Sequence, residues 1–330
     1  MQSPPFVSII VVTWNSKGYL QACLEKLHTQ TYTNFEILVI DNASKDGTVE
    51  KLEAESIFLH IEKLSSNFGF AIANNIGAHL AHGKWLVLLN ADAFPEPDWL
   101  EQLVRTAEQN PEYSFFSSRQ LQFDKPQLLD GSGDAYHISG LAWRHGYNHS
   151  TINNELKQRE VFSACAAAAL YSREEFLSVN GFDDDYFSYF EDVDLGFRLR
   201  LGGGKCLYVP GAIVHHVGSA STGKRSDFSV YYGYRNLIWT FVKNMPTPLI
   251  WIFLPLHIIT ILFFAFYLTW RGQGRVIWKA IFDAIYGLPK MIKKRKVIQK
   301  NKKIRSRELL KVMSTSLLEP YREFIQRNNR

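Results

Sequence analysis

The sequence predicts an α/β protein built on a mostly parallel central sheet with helices covering its faces. Three observations point that way. Short apolar runs rich in Val, Ile and Leu alternate with helical patterns, each of the first runs ends in a polar cluster, and the composition is that of a folded chain. Of 330 residues, 46% are hydrophobic and 21% charged, with no repeat or low-complexity tract, so a sizeable core is expected rather than disorder. This length suits one substantial domain and an appendage.

The first strand is read at residues 6–12, an apolar run too short for a secretory signal and preceded by no basic residue. Leu20, Cys23, Leu24 and Leu27 then repeat at helical spacing. A second strand at 35–40 is followed by Val49 and Leu52, and a third at 85–89 by Trp99, Leu100 and Leu103. Strand, helix and strand in repetition imply parallel pairing. In such sheets ligands bind beyond the carboxyl ends of the strands. The three cysteines, Cys23, Cys165 and Cys206, match neither a zinc pattern nor a disulfide framework, which points to a reducing compartment.

Charge divides the chain. Residues 271–330 hold 17 of the 37 Lys and Arg but 4 of the 32 Asp and Glu, a balance of +13 against −8 for the rest. Such a tail seeks an anionic surface, nucleic acid or lipid. Residues 244–270 select lipid over nucleic acid, because they contain no Lys, Arg, Asp or Glu. That run is long enough for a hydrocarbon core of ~30 Å, which takes ~20 helical residues, although Pro255 and His257 interrupt it. The stretch 276–292 carries Lys279, Asp283 and Pro289, but Ile277, Ile281, Ile285 and Leu288 fall on one side, as in an interfacial helix. A hairpin turning at 271–275, or a helix dipping into one leaflet, keeps the basic tail and the first domain on the cytoplasmic side. A buried core helix is the alternative. The expected division is a first domain at 1–240, membrane-associated helices at 241–292 and a basic tail at 293–330.

The polar clusters beyond the strands carry the chemistry. Thr13, Trp14 and Asn15 follow the first strand, and Asp41, Asn42, Ser44, Asp46 and Gly47 the second. A carboxylate such as Asp41 at a strand end suits a nucleoside, accepting from ring N–H or hydroxyl groups; a helix cap or turn is the plain alternative. Residues 67–77, Asn-Phe-Gly-Phe-Ala-Ile-Ala-Asn-Asn-Ile-Gly, lead a loop into a helix of small residues that lets backbone and ligand approach, with Asn74 or Asn75 available to a sugar or nucleoside. Simple helix–sheet packing explains that segment equally well. Asn90 and Asp92 stand beyond the third strand, and a hard cation such as Mg²⁺ or Mn²⁺ bridges carboxylates to phosphates in this way.

Further on, Glu191, Asp192 and Asp194 open a helix and gain from its dipole. Tyr186, Phe187, Tyr189 and Phe190 surround them, and such surroundings desolvate a carboxylate and raise its pKa toward that of a useful base. His215 and His216 precede Val-Gly-Ser-Ala-Ser. Trp143, Arg144, His145 and Tyr147 form a Gly-flanked stretch suited to an acceptor groove or to a surface loop. Arg225, Tyr231, Tyr232 and Arg235 suit docking of the apolar segment better than contact with diphosphate.

Over residues 6–235 these motifs resemble glycosyltransferase family 2, in particular its bacterial rhamnosyltransferase-like branch. The resemblance rests on Val-Val-Thr-Trp-Asn, Val-Ile-Asp-Asn-Ala-Ser-Lys-Asp-Gly-Thr, Asn-Phe-Gly-Phe-Ala, Leu-Leu-Asn-Ala-Asp, Phe-Glu-Asp-Val-Asp-Leu and His-Val-Gly-Ser-Ala-Ser, in order. It implies a GT-A fold, the nucleotide-diphospho-sugar transferase fold, with a C-terminal helical membrane-associated region. It also implies an inverting, metal-dependent enzyme that moves a sugar such as rhamnose from a UDP- or dTDP-sugar to a glycan or lipid-linked acceptor. By the resemblance, Asp41 contacts the donor nucleoside, with Thr13, Asn15, Asn67, Gly69, Asn75 and Asn90 completing the donor site. Asp92 binds Mg²⁺ or Mn²⁺, Asp192 is the catalytic base and Glu191 its neighbour in acceptor binding. His216 is a further metal ligand, favoured over His215 by the alignment of the residues that follow. Many relatives have Asp where this chain has Asn90, which leaves one carboxylate fewer for the metal. Location at the cytoplasmic face of the bacterial inner membrane, on an anionic surface, follows from the same reading, and homo-oligomer formation is left open. Two rivals are a nucleotidyltransferase, disfavoured by a first loop with one Lys and one Gly between Thr13 and Gly18, and a non-catalytic membrane-bound nucleotide-sugar scaffold or sensor.

Overall fold

The structure is a computed structural model that describes residues 6–49, 52, 59–151, 156–218, 226–320 and 322. The chain runs β1 (Val7–Thr13), α1 (Leu20–His28), β2 (Phe35–Asp41), β3 (Leu59–Lys63), α2 (Gly69–Leu80), β4 (Trp85–Asn90), β5 (Ala93–Pro95), α3 (Trp99–Gln109) and β6 (Phe115–Gln122). Short strands β7 (Leu129–Gly131), β8 (Asp134–Tyr136), β9 (Ala142–Arg144) and β10 (Arg159–Val161) follow. Then come β11 (Ala168–Ser172), α4 (Arg173–Ser178), α5 (Glu191–Leu201) and β12 (Cys206–His216). Helices α6 (Asp227–Asn244), α7 (Thr247–Leu268), α8 (Gly274–Lys300) and α9 (Ser306–Val312) complete the fold.

The main sheet has the order β10-β12-β6-β11-β4-β1-β2-β3. Pairing is parallel for β4-β1-β2-β3 and for β6-β12, while β11 runs antiparallel between β4 and β6. The first three predicted strands are β1, β2 and β4, all parallel as expected. Because strand side chains alternate, β1 feeds two separate cores. Ile9 and Val11 pack on Leu20, Leu24 and Leu27 of α1 and on Leu100 and Leu103 of α3. Ile10 points to the other face, with Ala71, Ala73 and Ala78 of α2 and Leu195 and Leu199 of α5. A Cβ on Gly77 would lie 2.6 Å from Ile10 Cγ2, so the small residues of α2 serve this close helix–sheet approach.

The last helices form an appendage around α6. Gly272, at φ 88, interrupts the helical run between α7 and α8, and the chain reverses there. Trp278 Nε1 donates to Thr269 Oγ1 at 3.1 Å at one end, and Arg295 Nη2 donates to Thr247 Oγ1 at 3.3 Å at the other. The reversal falls within residues 271–275. The expected domain boundaries, by contrast, both cut helices: 240/241 lies inside α6 and 292/293 inside α8. Within the tail, Leu309 and Met313 pack with Tyr136, Phe197 and Phe241.

One side of α7 is buried along nearly its whole length, at Leu249, His257, Thr260, Ile261, Phe264 and Ala265. His257 Nδ1 lies 2.7 Å from the Ser139 carbonyl and its ring stacks on Phe241. The opposite side exposes Trp251, Ile252, Ile258, Ile259, Phe263 and Phe266.

Candidate active site

Strand pairing assembles the site at the carboxyl ends of β1, β2 and β4. Thr13 and Asp41 are register partners, and Val12 is paired with Asn90. Asp92 sits in the turn between β4 and β5. Because β5 pairs with the end of β12, with Ala93 opposite His216, and Val217 N donates to the Asp92 carbonyl at 3.1 Å, Asp92 and His216 are drawn together. Asp92 Oδ1 lies 3.4 Å from His216 Nε2, and Asn90 Nδ2 lies 3.3 Å from the same nitrogen. His215 faces away, its Nε2 2.8 Å from Glu96 Oε1, so the strand's alternation separates the two histidines.

Asp92, Asn90 and His216 line a cavity of about 480 Å³ together with Glu191 and Asp192, within the range of small-molecule sites. The two acidic residues reach it by an unusual route. Tyr189 and Phe190 lie at φ 66 and φ 67, left-handed for two successive non-glycine residues, and the chain then enters α5. Asp192 Oδ2 accepts from Ala166 N at 3.4 Å and Oδ1 from Val193 N at 2.8 Å. Glu191 is 7% exposed and its Oε2 has no hydrogen-bond partner among the described residues.

Burial, reinforced by the charge of Asp192, pushes the Glu191 carboxyl well above the usual carboxylate range. Burial also raises Asp192, against the pull of the nearby Arg144 guanidinium and the backbone N–H groups. For His216, burial alone would lower the pKa, but Asp130 and Asp92 outweigh it and bring it up to about 9.

The third acid of the motif belongs elsewhere. Asp194 is fully buried, accepts from Arg198 Nε at 2.8 Å and Asn244 Nδ2 at 2.7 Å, and pairs with Lys243. Its cations hold its carboxyl below the ordinary value in spite of burial.

The other expected donor residues stand outside this cavity's lining. Asp41 is buried and accepts from Ser44 N at 3.2 Å, Asn15 Oδ1 accepts from Lys45 N at 2.8 Å, and the Thr13 hydroxyl is buried without a partner among the described residues. They form one neighbourhood next to Asn90 through the sheet register. Asn67 is spent on the loop, its Oδ1 accepting from Asn42 Nδ2 and Gly69 N, both at 2.9 Å. Gly69, at φ +85, lies where a Cβ would be 2.5 Å from the Phe187 carbonyl. Asn75 is engaged elsewhere: it donates to the Phe182 carbonyl and Asp184 and accepts from Phe182 N. These bonds clamp the loop before α5. Asn74 caps a carbonyl of its own helix.

Of the Gly-flanked stretch, Trp143, Arg144 and Tyr147 line the cavity and His145 does not. Tyr231 donates to Asp283 at 2.6 Å, which ties α6 to α8, and Arg235 lies over Trp239 of its own helix. Arg225, Ser219, Ala220 and Ser221 lie outside the described residues. Sequence reasoning missed Asp130, which accepts from His216 Nδ1 at 2.8 Å and pairs with Arg144. In sequence its Leu-Asp-Gly setting reads only as a turn.

A divalent cation fits the pair Asp92 and His216. Adjacent ligands of a six-coordinate cation, each at ~2.1 Å, stand ~3 Å apart, close to the separation found. No cluster of three or more His, Cys, Asp or Glu is placed to hold a metal among the described residues, so a cation here relies on donor phosphates for further ligands, as hard cations commonly do.

The sheet order and the carboxylates at its strand ends define a GT-A glycosyltransferase. The chain belongs to glycosyltransferase family 2: the family profile, Glycosyl transferase family 2, matches residues 8–177. It is 28% identical over 243 residues to an N-acetylglucosaminyl-diphospho-decaprenol L-rhamnosyltransferase of Mycobacterium tuberculosis, covering 66% of this chain and 77% of that protein. It is also 28% identical over 236 residues to Rhamnosyltransferase WbbL of Escherichia coli, covering 68% and 87%. The chain spans 28% of the length of an uncharacterized protein of Sinorhizobium fredii and 47% of an uncharacterized glycosyltransferase of Haemophilus influenzae that it also matches. Among solved structures, a mannosyltransferase of Pyrobaculum calidifontis in complex with GDP-Man and Mn²⁺ superposes with a TM-score of 0.55 at 18% identity, covering 86% of this chain and 88% of that one.

Proposed function

We propose that this glycosyltransferase is an inverting, metal-dependent enzyme that transfers a sugar, rhamnose in the favoured reading, from a UDP- or dTDP-sugar to a hydroxyl of a lipid-linked glycan. One observation carries the reading: Asp92 and His216 share a single cavity with Glu191 and Asp192. The donor nucleoside sits at the ends of β1 and β2, read by Asp41 with Thr13 and Asn15. Its diphosphate extends toward Asn90 and Asp92. A cation held by Asp92 and His216, Mg²⁺ or Mn²⁺, supplies neutralisation of the diphosphate charge when bound.

Asp192 takes the proton of the acceptor hydroxyl as its oxygen attacks the anomeric carbon. The bond to the diphosphate breaks on the opposite face, so configuration inverts. Glu191, whose buried Oε2 has no partner among the described residues, accepts from a second acceptor hydroxyl. Trp143 and Tyr147 offer ring faces to the acceptor sugar. The rhamnosyltransferase relatives support the sugar and the lipid-linked acceptor, and the mannosyltransferase complex supports the cation. The scaffold alternative is not favoured, because the relatives are named as rhamnosyltransferases and the acidic pair stands in the cavity beside Asp92 and His216.

Membrane attachment belongs to the same reading, with the enzyme at the cytoplasmic face of the bacterial inner membrane. Helix α7 is apolar on every side, and such a helix wants a nonpolar partner all round. Half of it has the protein and half is exposed. A transmembrane crossing would drag the polar residues of α6 and α8 that flank it, such as Lys243, Asn244, Lys279 and Asp283, into hydrocarbon at a cost of several kcal/mol. The helix therefore lies in the interface plane, with the cations of α8 and the tail on anionic headgroups.

Purified protein incubated with a panel of nucleotide sugars and a lipid-linked acceptor, with and without chelator, tests the proposal. Release of free nucleoside diphosphate from one pyrimidine donor, abolished by chelator, is expected. Tight donor binding without turnover of any sugar would favour the scaffold.

A further inference from the structure

Asp130 lies in no recognised motif, on the short strand β7 that pairs with β6 through an irregular register between Gln120 and Leu121. It is 6% exposed. Its Oδ2 accepts from His216 Nδ1 at 2.8 Å and is paired with the Arg144 guanidinium as well. The second nitrogen of the same imidazole, Nε2, faces Asp92 and Asn90. The imidazole is thus held between the Asp130 carboxylate at Nδ1 and the Asp92 and Asn90 side chains at Nε2.

We propose that Asp130 is the positioning residue that makes His216 a metal ligand. The inference rests on the reading of His216 as a ligand. A histidine has two tautomers, and only the one protonated at Nδ1 presents an Nε2 lone pair. The bond to Asp130 fixes that tautomer and the ring's rotation, and a carboxylate behind an imidazole makes it a stronger donor.

The test is Mn²⁺ binding, followed by the loss of the free-ion electron paramagnetic resonance signal in titrations of wild type, Asp130→Asn, His216→Ala, the double variant and Arg144→Met, with folding checked by circular dichroism. Asp130→Asn should weaken Mn²⁺ binding by about tenfold or more, the scale of orienting partners of metal-bound histidines. Combined with His216→Ala it should add nothing, because Asp130 acts through that ring. Arg144→Met removes another partner of Asp130 Oδ2 and should leave affinity within about twofold, because the bond between Asp130 and His216 Nδ1 remains. If Asp130→Asn does not fold, Asp130→Glu takes its place. The longer side chain keeps the charge but displaces the imidazole, and the same loss is expected.

Wild-type affinity in a folded Asp130 variant, alongside lost affinity in His216→Ala, would overturn the inference while the metal site stood. Wild-type affinity in His216→Ala would remove the metal reading itself. An equal loss in Arg144→Met would assign the effect to the ion pair and overturn the positioning role.

Discussion

Lys243 Nζ lies 2.8 Å from Asp194 Oδ1, with both side chains wholly buried. Lys243 also pairs with Asp183, which pairs in turn with Lys294 of α8. These cations hold the Asp183 carboxyl below its ordinary range in spite of its burial. The network fastens both ends of the segment that carries Tyr189, Phe190, Glu191 and Asp192. Lys243→Met would leave Asp183 and Asp194 short of a cation, and breaking a buried pair from one side costs about 3–5 kcal/mol. Urea unfolding should show a loss near that size. A change under 1 kcal/mol, the scale of exposed pairs, would show that the remaining cations suffice.

Asp192→Asn should lower kcat by ~10²–10⁴, the usual worth of a general base, while leaving donor binding intact by calorimetry. The pH dependence follows from the direction of its shift. A base works deprotonated, and burial raises the Asp192 pKa, so the acid limb of kcat/KM should lie above the ordinary aspartate value of ~3.9. Activity is then lost as pH falls through that higher value. A limb at or below pH ~4 would contradict the assignment.

Asp92→Ala should abolish stimulation by Mn²⁺ and reduce turnover by ~10² or more, since charge neutralisation by a metal is worth several kcal/mol. Wild-type enzyme treated with chelator should fall to the level of the variant, and chelator should have no further effect on the variant. Unequal residual rates would mean that the cation is held elsewhere.

Ile259→Glu and Phe263→Glu alter side chains that are 63% and 46% exposed, so the fold should survive. Inserting either wild-type side chain into lipid is worth about 1.5–3 kcal/mol, so each change should weaken binding to phosphatidylserine vesicles by roughly tenfold or more. Flotation assays measure it. Unchanged flotation would place the contact elsewhere.

Much of the architecture could be read ahead of the coordinates. Strands β1, β2 and β4 announce themselves as apolar runs, because each is covered on both faces. The antiparallel strand β11 does not: Ala168 and Ala169 in a run of alanines have weak strand propensity, and its place between β4 and β6 is set by tertiary pairing. In the site, Asp92, His216, Glu191 and Asp192 converge through strand register and a helix entry that motif spacing foreshadows. Asn75 shows the limit. Its amide type suits a sugar, but only the path of residues 181–184 reveals that its hydrogen bonds are already taken. Asp130 shows the converse, a residue whose histidine partner lies 86 positions away and whose own surroundings in the chain resemble any turn.

The two left-handed residues before α5 bear on attempts to improve the protein. Such conformations cost on the order of 1–3 kcal/mol each for side chains with a Cβ, so Tyr189 and Phe190 hold strain that the surrounding ion pairs and packing must outweigh. Laboratory selection for heat tolerance alone should enrich Gly or Asn at these two positions. The survivors would be hardier catalysts in storage and poorer ones at work, because the bend that aims the acidic pair would have been allowed to relax.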